Sequence, residues 1–98
     1  MEKGWKMNNK ILIAFDSTQQ ALRAEMLLEY ADIEIDTRPT PKEITAGCAL
    51  SIDIPHKDFQ TVSKIISHEK VEIKGYYYKR IDKYELYTPP MVEGNGGE

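Results

Sequence analysis

Cys48 is the single cysteine in the chain of 98 residues and its most evident soft nucleophile. It ends the segment Arg38-Pro39-Thr40-Pro41-Lys42-Glu43-Ile44-Thr45-Ala46-Gly47-Cys48. Pro39 and Pro41 restrict the approach, Gly47 gives close backbone access, and Arg38 and Lys42 lie near enough in sequence to stabilise a thiolate by charge. A thiolate is the nucleophilic form of cysteine, so a reactive thiol is the chemistry to which this segment points. The opposite expectation stands on the same residues. Cys48, Leu50, Ile52 and Ile54 fall on one face of a strand, and free cysteine is among the most buried residue types. On that ground Cys48 is a packing residue.

Other candidate chemistry is thinner. His56 and His68 do not combine with Cys48 at any compact zinc-ligand spacing, so neither a metal nor a cofactor is expected. Asp16 ends an apolar run, where an aspartate is catalytic or caps a helix. There is no phosphate-cradling glycine loop, no nucleophile elbow and no paired-carboxylate arrangement. Tyr76 and Tyr78 alternate with Tyr77 in Val71-Glu72-Ile73-Lys74-Gly75-Tyr76-Tyr77-Tyr78. If helices cover the face of Val71, Ile73 and Tyr77, then Tyr76 and Tyr78 lie on the open side of a sheet. There they form an interaction face for stacking or protein contact. A net charge of −3 and the neighbours Glu34, Asp36 and Asp53 disfavour nucleic acid. A homodimer through open sheet faces fits better.

The elements that position these residues follow from periodicity. Ile11-Leu12-Ile13-Ala14-Phe15 predicts a central strand. Ser17 followed by Gln20 is a capping-box signal for a helix running to about Tyr30, with Ala21, Ala24, Leu28 and Ala31 recurring at helical spacing and Leu27 beside them. Ile33, Ile35 and Thr37 alternate with acids and predict a second strand, stopped by Pro39 and Pro41. Thr40-Pro41-Lys42-Glu43 predicts a short helical turn capped by Thr40 and ended by Gly47. Cys48 to Ile54 predicts the third strand. Lys57 to His68 predicts the second helix, with Phe59, Val62, Ile65 and Ile66 inward. Val71 to about Ile81 predicts the fourth strand, with a short extension at Tyr84, Leu86 and Tyr87.

Two helices suffice for one face of a four-stranded sheet. The expected fold is therefore α+β, a ferredoxin-like βαββαβ sandwich with a short helical turn before strand three. One domain over 10–88 is expected, between a loose tail at 1–9 containing Trp5 and a disordered tail at 89–98. No run approaches the apolar length of a membrane span. Met1–Lys10 lacks a signal-peptide core, which makes the cytoplasm the expected location.

The chain also resembles the selenium/sulfur (Se/S) carrier protein-like family of small bacterial and archaeal proteins over roughly residues 10–80. The resemblance is carried by Lys10-Ile11-Leu12-Ile13-Ala14-Phe15-Asp16-Ser17-Thr18, by Ala21 and Ala24-Glu25, and by Pro39, Pro41, Lys42-Glu43-Ile44-Thr45 and Gly47-Cys48. The family's cysteine-glycine pair matches Cys48 followed by Ala49, a departure that alters backbone access beside the thiol. The resemblance implies a carrier or accessory protein more than a stand-alone enzyme. It would hold sulfur or selenium on Cys48 between a donor and an acceptor protein, in a loop formed by Arg38, Pro39, Pro41, Lys42 and Gly47. The competing class is a small interaction or self-assembly module in which Cys48 only packs.

Overall fold

The structure is a computed structural model that describes residues 10–79 and 83–87. The expected tails, with Trp5, and the strand end expected at Ile81 lie outside the described residues. The elements in chain order are β1 (Lys10–Ala14), α1 (Thr18–Tyr30), β2 (Asp36–Pro39), β3 (Leu50–Pro55), a short 3₁₀ turn (His56–Asp58), α2 (Phe59–His68), β4 (Gly75–Lys79) and β5 (Tyr84–Leu86). The strands form one antiparallel sheet in the order β2-β3-β1-β4-β5. The architecture is α+β as expected, but the sheet has five strands where four were expected. Tyr84–Leu86 is not an extension of β4; it doubles back and pairs with it, Tyr78 opposite Glu85.

β1 is central because its apolar run fills both sheet faces. Ile11, Ile13 and Phe15 point to the helices, while Leu12 and Ala14 point away, and all five are buried. Burial of each large side chain stabilises by about 1.5–3 kcal/mol. α1 lays Ala21, Ala24 and Leu28 on the sheet, and α2 lays Phe59, Val62 and Ile66 beside them. Ser17 caps α1 by accepting from the Gln20 N–H. The Gln20 side chain does not reciprocate; its Oε1 accepts from the Glu72 N–H at 3.1 Å and ties α1 to the approach of β4.

Both helices end in the same way without a glycine. Asp32 (φ 66°) and Lys70 (φ 57°) adopt the left-handed conformation. Ile33 N–H then donates to Leu28 O, and Val71 N–H to Ile66 O, closing two Schellman motifs. Each motif delivers its following apolar residue, Ile33 or Val71, to the core. This explains why Ile33 and Ile35 do not belong to β2, which begins only at Asp36.

Two further expectations are corrected. Residues 40–47 do not form a helical turn. Thr40 N–H donates to Ala49 O and so extends the β2–β3 pairing, and only a single tight turn, Ile44 N–H to Pro41 O, follows. That segment folds over the face of the sheet opposite the helices, where Ile44 and Ala46 pack with Leu12, Ala14, Tyr77 and Tyr84. Tyr76 and Tyr78 are not on that face. They pack into the helix-side core, Tyr76 edge-on to Phe59 at 4.8 Å between ring centres. Residues 71–74 are irregular, so the alternation begins afresh at Gly75 and the phase of Val71 and Ile73 does not carry to Tyr77. Among the described residues, no helix is long and apolar enough to cross a membrane.

Candidate functional site

Cys48 lies in the loop just before β3, where the chain crosses the end of β1. Its N–H donates to Phe15 O at 3.1 Å, and the preceding Gly47 N–H donates to Asp16 Oδ1 at 2.8 Å. Its carbonyl accepts from the Thr40 hydroxyl at 3.0 Å. Since that hydroxyl has one proton, the 2.6 Å contact between Thr40 Oγ1 and Ser51 Oγ is donated by Ser51. The backbone of the thiol loop is thus held by the β1–α1 turn, through Phe15 and Asp16, and by Thr40, just past β2, which is itself tied to Ser51 of β3.

The sulfur faces the amino end of α1. Thr18, the first residue of that helix, places Oγ1 at 3.4 Å from Sγ, and the Leu50 N–H donates to Sγ at 3.2 Å. A backbone amide and the positive end of a helix dipole therefore converge on the sulfur. Cys48 is only 3% exposed and packs with Ala21, Leu50 and Ile52 in the helix-side core cluster. A cleft of about 290 Å³ opens beside the same turn, walled by Asp16, Ser17, Gln20, Glu72 and Ile73.

The expected loop residues divide. Gly47 lies against the β1–α1 turn: a Cβ there would stand 2.6 Å from Asp16 O, so only glycine lets the loop approach this closely. Pro39 ends β2 opposite Leu50, and Pro41 opens the tight turn. Lys42 is exposed in that turn. Arg38 is engaged elsewhere. Its guanidinium donates to Asp53 Oδ2 at 2.6 Å, on the sheet face opposite the thiol, and Asp53 holds it protonated above its ordinary range through that hydrogen bond and its charge. Tyr76 and Tyr78, as above, belong to the core. Burial pushes the Tyr76 hydroxyl up to about 12.

Sequence reasoning missed Thr18, Thr40 and Ser51. Only the register of β2 on β3, which sets Arg38 opposite Ser51, brings the last two together. His56 is tied to Tyr87, Nε2 to hydroxyl at 3.2 Å, and among the described residues no group of three metal-ligating side chains gathers.

The model of the family described as "Putative Se/S carrier protein-like" matches residues 10–78, from the first residue of β1 into β4. The chain belongs to that family. No curated protein and no solved structure matches it.

Proposed function

We propose that Cys48 carries a sulfur or selenium atom between two proteins. The carrying observation is that Sγ sits at the first turn of α1 and accepts the Leu50 N–H, where negative charge on a thiolate or persulfide would be held. Family membership supports the same role. In loading, the Cys48 thiolate attacks the terminal sulfur of a donor cysteine persulfide. The Sγ–S bond forms, the donor S–S bond breaks, and the donor leaves as a thiolate. A donor selenosulfide reacts likewise at selenium. Unloading repeats the exchange with an acceptor thiolate, so no net oxidant, metal or cofactor enters. The protein acts stoichiometrically, as a carrier and not as an enzyme. As its framework we infer a ferredoxin-like βαββαβ fold with an added edge strand. The order β2-β3-β1-β4 supports this, each helix linking two strands that flank a third.

A second class, an interaction module in which Cys48 packs, is favoured by the 3% exposure of that residue. One experiment separates the two. Intact mass is recorded after incubation with a persulfide-generating cysteine desulfurase, beside Cys48→Ser and beside alkylation in folded and unfolded states. Gain of one sulfur atom, absent in the variant, is the expected result. No gain, with alkylation only after unfolding, makes Cys48 a packing residue.

A further inference from the structure

α1 presents an apolar ridge to solvent that starts at the thiol. Thr18, Leu22, Met26 and Tyr30 recur every fourth residue, so they follow one another along the helix, turning about 40° per step. Thr18 touches Cys48 Sγ, while Leu22, Met26 and Tyr30 are 51%, 64% and 92% exposed. At about 1.5 Å per residue the ridge runs roughly 18 Å from the sulfur. It is not the core stripe, which is Ala21, Ala24 and Leu28. Single exposed apolar residues are ordinary. Here, however, the large exposed hydrophobics among the described residues are Leu22, Met26, Tyr30 and Leu86, and all but the last share this ridge.

One border of the ridge is acidic. Glu25 and Glu29 lie one turn on from Leu22 and Met26. Glu29, Asp32, Ile33 and Glu34 line an open groove of about 450 Å³ beyond the helix end. Arg23, the one cation of α1, leans to Glu69 at 3.7 Å. A second copy is a poor occupant. Two-fold antiparallel pairing sets each flank against its own copy, bringing Glu25 and Glu29 against Glu29 and Glu25. We propose that this ridge docks a partner protein through an amphipathic helix whose apolar face is bordered by Lys and Arg. Resting on the carriage proposal, that partner is the donor that loads the chalcogen onto Cys48.

The test titrates isotope-labelled protein with two synthetic helical peptides that share one apolar face, one flanked by Lys and the other by Glu, while amide NMR signals are followed. The Lys-flanked peptide is expected to shift residues 22–34 and to bind about tenfold tighter than the Glu-flanked one. The double variant Leu22→Ser/Met26→Ser, at exposed positions, should keep its fold and lose that binding. Glu25→Lys/Glu29→Lys should invert the preference. Shifts elsewhere, no charge preference, or a wild-type dimer that the Ser variant dissolves would each overturn the proposal. Loading separates it from the carriage proposal. A ridge that binds the Lys peptide while Cys48 accepts no sulfur upholds the docking surface and ends carriage. Equal loading of wild type and ridge variant by the desulfurase ends the docking role and leaves carriage standing.

Discussion

Gly47 packs directly on the backbone of Asp16: its N–H donates to Asp16 Oδ1 at 2.8 Å, and an added Cβ would meet Asp16 O at 2.6 Å. The obstacle is backbone, so it cannot swing aside as a flexible side chain would. Gly47→Ala should destabilise the protein by about 1–3 kcal/mol, the usual scale of overpacking. It should also push the Cys48 loop off the β1–α1 turn, so the thiol alkylates faster in the folded state. Asp16→Ala removes the acceptor without adding bulk, and should weaken the fold by about 1 kcal/mol while also speeding alkylation. Urea denaturation and alkylation kinetics check both. If neither variant alters the rate, the latch does not cover the thiol.

The Arg38–Asp53 pair should respond unequally to loss of its two members. Side-chain exposure is 48% for Arg38 and 8% for Asp53. Arg38→Ala strands a nearly buried carboxylate and should lower stability by about 1–3 kcal/mol. Asp53→Ala frees a guanidinium that already reaches water, and its effect should stay within about 1 kcal/mol. Because Asp53 raises the Arg38 proton affinity, the arginine's part is constant at every pH below the strongly alkaline range where a free guanidinium loses its proton, and it adds no slope near neutrality. Denaturation midpoints of the two variants decide; equal losses would mean that the carboxylate is better solvated than its burial implies.

Where local spacing and burial agree, the sequence is transparent. The apolar run of β1, the Ser17 cap and the Ala21, Ala24 and Leu28 stripe of α1 form as their periodicity demands, while Ala31, expected on that stripe, is the exposed C-cap. Tyr76 and Tyr78 were opaque because irregular residues 71–74 break the alternation that would have fixed their face. Thr40 carries every mark of a helix cap, yet its N–H is taken by the ladder to Ala49 O, and tertiary pairing overrides the local signal. At the site, Cys48 was visible as a residue type. Its contacts with Thr18 and Phe15 join positions about thirty residues apart, which no local pattern encodes.

Tyr76 gives the fold an alkaline limit. An unfolded tyrosine ionises near pH 10, whereas burial holds Tyr76 protonated to about 12. The folded value is the higher, so the contribution is fully present below about pH 10 and is lost as pH rises toward 12. Unfolding free energy should fall across that window, and Tyr76→Phe should flatten the fall. Urea titrations at stepped alkaline pH measure it. An unchanged slope in the variant would mean that Tyr76 ionises alike in both states.

Thr40 and Ser51 provide the most direct test of how the thiol loop is held. Ser51 is fully buried, and its hydroxyl donates to Thr40 Oγ1, which in turn donates to Cys48 O. Thr40→Val removes both the acceptor for Ser51 and the donor to Cys48. It should destabilise by about 1–3 kcal/mol, since a buried hydroxyl and a carbonyl lose their partner. Ser51→Ala removes only the outer member and should have a smaller effect. In the double variant no hydroxyl is stranded, so its loss should be less than the sum of the singles. The coupling energy should be about 0.5–3 kcal/mol. Alkylation of folded Cys48 should follow Thr40 and not Ser51, because only Thr40 touches the Cys48 carbonyl. Additive losses, or faster alkylation in Ser51→Ala alone, would mean that the relay does not anchor the thiol loop.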